Sequence, residues 1–473
     1  MKSRKDQVQA YFFVVGRLAA AVTHGKPDIL EAPSKRMTTG TVLGFVLAAV
    51  ITGIFGIYGM FVPPTGNTAW RQEGAIVMDK VSGARYVYLG GQLRPVPNYS
   101  SARLVSGTGE VTSVAPGALA GTTVGQPIGI PDAPDSLPAA DKLNPGPWSV
   151  CLRPADIPVR GQPAEVTLLL GGPGGEVLGD DKGLLVSVPG GKTYLVAGGK
   201  RFWVPGRSAI AALGYSAIRP LDVTSNWLNT IPQGADLNAP AVPGTGETGP
   251  VLEGRQSLIG QVYQVRNTAL GTEQIYVVRR DGLAAISRTV AALLLAAPTT
   301  RQAYPDLPVE PIQVGPAALT GVPITAASGL PNDLPPVPPE IVTPPVGTQS
   351  CVRHTSGGAG DPNVVTELLP GDRVTQVSAP LGKHQAGKTA DRISIPAGGG
   401  LLARNRSASG TGGVIYLVTE VGKKYALADE GTITALGYTE GTAVTVDGQL
   451  LNLLPTGPVL SVGAARETQA VQQ

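Results

Sequence analysis

One octet in this 473-residue chain satisfies a phosphate-binding pattern: Gly382-Lys383-His384-Gln385-Ala386-Gly387-Lys388-Thr389 reads G-x-x-x-x-G-K-[ST]. In such a loop, backbone N–H groups and a helix N-terminus face the phosphates, and the lysine and hydroxyl complete the site. The chemistry therefore needs a strand before the octet and a helix after it. Val374 to Val377 can supply the strand, but Asp391 to Gly398 reads as a second strand interrupted by Pro396. Gly382, Gly387, Lys388 and Thr389 are thus nucleotide-binding candidates only under a secondary reading, a membrane-anchored ATPase. The primary reading expects no catalytic residue, no metal ligand and no cofactor.

Other reactive side chains are sparse. His354 and His384 have neither H-x-x-x-H nor H-E-x-x-H spacing and read as surface residues. Asp180-Asp181 and Asp429-Glu430 read as solvated turns, and there is no G-x-S-x-G nucleophile turn. The two cysteines, Cys151 and Cys351, lie in the part of the chain expected outside the cell. An oxidising compartment favours disulfides, either with each other or with a partner protein, over a metal site.

That placement rests on the stretch Thr41 to Val62, 22 residues without a charge. A bilayer core of about 30 Å takes roughly 20 apolar residues of helix. The stretch starts too late for a cleaved signal peptide and reads as a retained anchor. Before it, Lys2, Arg4, Lys5, Arg17, Lys26, Lys35 and Arg36 outweigh Asp6, Asp28 and Glu31, which gives residues 1–36 a net +4 against +3 for the whole chain. The positive-inside bias then puts the N-terminal segment in the cytoplasm and the remainder outside. Gly53, Gly56 and Gly59 lack GxxxG spacing, so they predict no helix pairing. Within the cytoplasmic segment, Val8, Tyr11, Phe12, Val15, Leu18, Ala19 and Val22 recur at helical spacing, with Gly25 as the stop. Such a helix suits either the anionic inner leaflet or a cytoplasmic partner.

The exterior is built from turns: 63 glycines and 43 prolines accompany only 5% aromatic residues. Its near-neutral charge excludes a nucleic-acid binder. It also repeats itself. Gly191 to Val196, Lys200 to Val204 and Ala211-Ala212-Leu213-Gly214-Tyr215 recur as Val414 to Val418, Gly422 to Leu427 and Thr434-Ala435-Leu436-Gly437-Tyr438. Both units end in Leu-Asn followed by Pro-x-Gly, at Leu228 to Gly234 and Leu451 to Gly457. Partial copies start at Gly83 and Gln274. Each copy predicts strand, tight glycine turn and strand, with a short helix in the fuller ones. Units this small must pack on something shared. The cysteines fall between copies one and two and between copies three and four, so a Cys151–Cys351 bridge would join equivalent points of two halves.

The fold class expected is α+β: a single N-terminal transmembrane helix, then an elongated exported region with a β-rich core and four small αβ repeat domains in quasi-twofold arrangement. The spans are 1–40 for the cytoplasmic segment and 41–62 for the anchor. Repeats take 63–126, 182–240, 241–300 and 398–460. Core segments take 127–181, with Cys151, and 301–397, with a proline-rich arm and Cys351. A disordered tail takes 461–473. Linkers are expected at Pro127–Pro147, Pro232–Gly249 and Pro331–Pro345.

Arg36-Met37-Thr38-Thr39-Gly40-Thr41, and the block from Gly83 through Tyr86-Val87-Tyr88-Leu89-Gly90-Gly91-Gln92-Leu93-Arg94-Pro95-Val96-Pro97-Asn98-Tyr99-Ser100-Ser101 to Leu104, resemble the EccB subunit of the type VII (ESX) secretion system of actinobacteria. The resemblance extends over nearly the whole chain. It implies a structural, assembly-forming membrane subunit that scaffolds the outer face of a protein-export complex, with the family's disulfide on Cys151 and Cys351. Implied partners are the EccC-type motor ATPase, the EccD- and EccE-type subunits, a neighbouring mycosin protease and further copies of the chain itself, without nucleic acid. The alternatives are the membrane-anchored ATPase using residues 382–389 and a cell-wall-binding anchor.

Overall fold

The computed structural model describes residues 4–25, 34–61, 68–144, 146–154, 164–327, 329–355, 363–382, 388–406 and 413–469. The chain forms two units, one of residues 1–72, 79–83 and 113–122, the other of residues 73–78, 84–112 and 123–473.

The first unit holds two long helices. Arg4–His24 ends where Gly25 takes a φ of 62° and donates its N–H to the Ala21 carbonyl at 3.1 Å, the stop expected from sequence. Tyr11, Phe12, Phe13 and Leu18 are exposed along it. Ser34–Phe61 is the anchor helix, and it begins before the uncharged run does. Its segment Met37–Tyr58 is long and apolar enough to cross a membrane, with a mean hydropathy of 2.2. Gly40 and Gly44 within it do have GxxxG spacing, more than two turns before Gly53.

The second unit is organised around a sheet of seven strands. Its four central strands are Glu165–Leu170, Trp148–Arg153, Thr348–Thr355 and Asn363–Pro370, in that spatial order. They are almost wholly buried and rich in Val and Leu, as a sheet covered on both faces must be. At the centre Cys351 pairs with Cys151, Val352 with Val150 and Ser350 with Leu152, so the register inverts onto itself about the cysteines. The outer pairings match as well: Cys151 stands opposite Thr167, and Cys351 opposite Glu367.

Around this sheet the repeats share one plan. In the second, Lys200–Val204, Thr193–Ala197, Lys182–Ser187 and Leu221–Asp222 follow one another across the sheet; in the fourth, Lys424–Ala426, Ile415–Thr419, Gly400–Asn405 and Val444–Val446 do the same. In both, the first three strands are antiparallel and the last is parallel. The third repeat has the same order from Gly282–Ile286 through Thr272–Arg279 and Val262–Asn267 to Ile312–Val314. Its sheet therefore runs past residue 300, and Ile324–Thr325 adds a further strand beside Gly282–Ile286. The first repeat shows the meander Ile76–Asp79, Arg85–Leu89, Gln92–Val96. Helices also follow the hairpins of the partial copies, at Tyr99–Ser106 and Arg288–Ala296. Asn98 and Ser287 cap them by accepting the N–H of Ser101 and Val290. The opening strand of each repeat, and the closing parallel strand of the second, third and fourth, lack the repeated tyrosine and so leave no mark in the sequence.

The expected disorder of 461–473 is corrected for the described part of the tail. Ser461 caps a helix Val462–Arg466, Ala465 is fully buried against the first and fourth repeats, and Gln469 donates its N–H to the Pro127 carbonyl at 2.9 Å. A serine cap before an apolar-small helix was the available signal. Ala465, the fourth residue of that helix, is too small to register as core in a sequence.

Candidate functional site: the stapled sheet and its nucleotide-loop-like insertion

The most family-specific sequence block turns out to be a clasp. Asn98, Ser100 and Ser101 are buried, and they hold the returning segment 128–135. Asn98 Nδ2 donates to the Ile130 carbonyl at 2.8 Å, and Ser101 Oγ accepts the Ile130 N–H at 2.8 Å. Asp135 accepts from the Tyr99 N–H at 2.9 Å and pairs with Arg85. Buried polar side chains need partners, so this set of residue types fixes one path for the chain.

The Pro-x-Gly endings of the repeats have an equally local cause. Lys424 and Arg201 occupy matching places on the third strand of their repeats. Each donates its backbone N–H to a proline carbonyl, Pro455 at 3.0 Å and Pro232 at 2.9 Å, and each backbone carbonyl accepts from Gly457 or Gly234. A Cβ on Gly457 would lie 2.2 Å from the Tyr425 ring, and one on Gly234 would lie 2.3 Å from the Phe202 ring. Only glycine fits. Their side chains reach helix C-terminal carbonyls: Lys424 Nζ donates to Leu451 O at 2.6 Å and Arg201 to Leu228 O at 3.1 Å. Cations suit that end of a helix, although burial pulls both proton affinities below their ordinary values.

Cys151 and Cys351 are bonded to each other at the middle of the sheet. Both are fully buried, in a cluster with Leu169, Leu369 and Val374. Val374 belongs to the helix Gly371–Val377, so the residues expected as the strand before the phosphate loop are a helix that lids the disulfide. Arg353 on the central strand forms an ion pair with the 1%-exposed Glu367 at 3.1 Å, and Glu367 also accepts the Gly175 N–H at 2.9 Å. Arg153 pairs with Glu165 at 2.9 Å in the other half, where both are partly exposed.

The halves exchange segments across this sheet. Glu340–Ile341, at the end of the proline-rich arm, runs parallel to the opening strand of the second repeat, with Ile341 opposite Gly183. Leu143 bridges Gly400 of the fourth repeat in the same parallel sense. The tyrosine of each Leu-Gly-Tyr closes the exchange: Tyr215 donates to the Pro339 carbonyl and Tyr438 to the Pro138 carbonyl, both at 2.8 Å. Burial raises both phenol pKa values, Tyr215 to about 12. The proline-rich arm is thus strapped in place.

Within the octet, residues 383–387, and with them Gly387 and His384, lie outside the described residues; Gly382, Lys388 and Thr389 are described. Lys388 is exposed in a turn and Thr389 is buried. A strand, Arg392–Ser394, follows instead of a helix, and it pairs with the two-residue strand Ala379–Pro380 that precedes the octet, so no helix begins where a phosphate loop needs one. The backbone donors just after Thr389 are committed: Ala390 N–H to Leu453 O and Asp391 N–H to Val166 O, each at 2.8 Å. Asn226 of the second repeat donates to the Thr389 carbonyl at 3.1 Å. The end of the octet is a junction joining the central sheet to the second and fourth repeats.

His354 corrects another expectation. It is not a surface residue but 5% exposed on the central strand, opposite Trp148 and Val364. Asp429 caps the helix Glu430–Ala435 by accepting from Thr432, and that bond lowers its pKa. No cluster of three metal-ligating side chains occurs among the described residues.

A family model described as "Type VII secretion system ESX-1, transport TM domain B" matches residues 2–472. The chain is 29% identical over 495 residues to the ESX-2 secretion system ATPase EccB2 of Mycobacterium tuberculosis, across 98% of this chain and 94% of that protein. It is 27% identical over 494 residues to the ESX-3 secretion system ATPase EccB3 of Mycolicibacterium smegmatis, across 98% and 90%. Among solved structures, a chain of an intact ESX-5 inner membrane complex matches with a TM-score of 0.70 and 25% identity, across 100% of this chain and 96% of that one. A chain of the EccB3 dimer from the ESX-3 core complex matches with a TM-score of 0.68 and 25% identity, across 83% and 100%.

Proposed function

The chain belongs to the EccB family of type VII secretion systems, and on that premise we propose that it is a structural, assembly-forming subunit of an ESX-type inner-membrane core complex, working by architecture rather than catalysis. It is a single-pass inner-membrane protein whose bulk is exported, anchored by Met37–Tyr58. In this reading the stapled sheet and its four repeats scaffold the outer face of the complex, beside EccC-, EccD- and EccE-type subunits, a mycosin protease and further copies of the chain. The quasi-twofold division belongs to the same proposal, with the third repeat extended to Ile324–Thr325 and the helix Val462–Arg466 joined to the fourth.

The observation that carries this reading is the exchange across the cystine sheet. It ties the second and fourth repeats to one sheet, and repeats held on a shared sheet present several surfaces at once. The committed donors at Ala390 and Asp391 support it further, because the segment that matches a phosphate loop is occupied in holding repeats together. The relatives carry "ATPase" in their names; here the match at 382–389 is read as architecture.

Gentle detergent extraction of native membranes, followed by blue-native electrophoresis and mass spectrometry, tests the assembly. A very large band holding a motor ATPase and a multi-spanning protein is expected, and a partner-free monomer or dimer would refute it. Lys388→Ala separates the two functions: a scaffold keeps secretion at the wild-type level, whereas a hydrolase loses it.

A further inference from the structure

The seam between the central sheet and the fourth repeat is polar where its counterpart is apolar. Residues two apart on a strand share a face, so Ser350, Val352 and His354 lie on one side of the sheet together with Thr366, which pairs with Val352. The matching positions of the first half hold Val150, Leu152, Pro154 and Val166. Ser350 is 1% exposed, and His354 and Thr366 are each 5% exposed. Ser350 Oγ, Thr366 Oγ1 and His354 Nε2 find no hydrogen-bond partner among the described residues. The core on this face joins Trp148, Val150 and Val352 to Val446, Leu450 and Leu451 of the fourth repeat.

Between Val446 and Leu450 stands Asp447, which caps the helix Gly448–Asn452 by accepting the Gln449 N–H at 2.7 Å. It is also the charged group whose field reaches the His354 imidazole. Asn405, on the strand paired with Val446, has an orphaned Oδ1 that would lie 3.0 Å from a Cβ on Gly448. Of the other charges nearby, Arg353 belongs to the opposite face and pairs with Glu367, and Arg404 pairs with Glu440 at 2.9 Å; Arg406 donates its backbone N–H to the carbonyl of Val446, the neighbour of Asp447. Trp148 and Val364, which flank the imidazole in the sheet, are uncharged.

We infer that His354 is a proton-operated catch for the fourth repeat: the neutral ring lets that repeat dock on the central sheet, and the protonated ring favours its release. A buried cation without a hydrogen-bond acceptor is costly. Asp447 offsets only part of that cost, and burial holds the His354 pKa down at about 4 from its ordinary 6.5. The sign follows. A released ring takes up its proton near 6.5 and a docked ring near 4, so docking is unaffected above neutrality and weakens as pH falls between those values.

The test is hydrogen exchange of the full chain in detergent at pH 7.5 and pH 5.0, corrected for intrinsic rates. The helix Gly448–Asn452 is the probe, and its counterpart Ser225–Asn229 in the second repeat is the internal control. Opening of the probe should rise by about 30-fold at the lower pH, as that pair of pKa values dictates, while the control stays constant. His354→Gln should reduce the probe's response to that of the control, with His354→Leu as a second variant should the first fail to fold. Equal responses of the two helices in the wild type would overturn the proposal, and so would a response that persists in a folded His354 variant.

Discussion

The two halves of the central sheet share a backbone but not a set of charges. Cys151 faces Thr167 as Cys351 faces Glu367, and the strands on either side keep the same register. In the first half the acid is Glu165, paired with Arg153 near the sheet's end where water still reaches both. In the second half the acid has moved inward to Glu367, 1% exposed, where it holds the glycine-rich loop at Gly175. The routes out of the sheet differ too. From Leu170 the chain reaches the second repeat at Lys182 by way of Glu176–Val177, whereas from Pro370 it reaches the fourth at Gly400 only after the Gly371–Val377 helix and the octet. Duplicated strands keep their register because a one-residue slip would turn every buried side chain outward. Their side chains are free to diverge with whatever attaches at the edge.

Substitutions can break or sharpen this contrast. The largest effect should come from Glu367→Ala, which removes the fully buried partner of Arg353 and the acceptor of the Gly175 N–H and should cost about 3–5 kcal/mol. Glu165→Ala, at the partly exposed pair, should cost about 1 kcal/mol or less. Denaturation midpoints of the full chain in detergent compare them, and equal losses would mean that the halves do not differ as described. Where the halves agree, matched changes should match. Gly457→Ala and Gly234→Ala each drive a methyl group into an aromatic ring and should each cost about 1–3 kcal/mol by overpacking. A smaller pair closes the series. Tyr438→Phe and Tyr215→Phe each leave a buried proline carbonyl without its donor, for about 1–2 kcal/mol apiece. A large inequality in either matched pair would show that the exchange is one-sided.

The sequence showed the parts of this molecule that depend on side-chain type. The anchor announces itself by 22 uncharged residues, and the repeats by the tyrosines and the Pro-x-Gly endings, whose glycines the packing against Tyr425 and Phe202 requires. The exchange was hidden, because Ile341 opposite Gly183 and Leu143 beside Gly400 are main-chain pairings that leave no residue pattern. The octet misled in the opposite way. Its residue types satisfy a pattern whose meaning lies in the elements around it, and the strand Arg392–Ser394 stands where the helix should begin. His354 read as a surface residue because a single histidine carries no periodicity to mark the buried face of its strand.

The exchanged straps bear on how such a chain can be delivered across a membrane. Leu143 cannot settle until Gly400 has emerged, and the second repeat waits for Ile341 to close its sheet. Contacts this distant along the chain make for slow, late folding. An exported region emerging from its anchor end first must therefore travel most of its length as unfinished strands, with Cys151 waiting for a partner 200 residues behind it. Passage and folding become successive events, and a chain cut short before the fourth repeat would leave open edges for the cell's quality control to find.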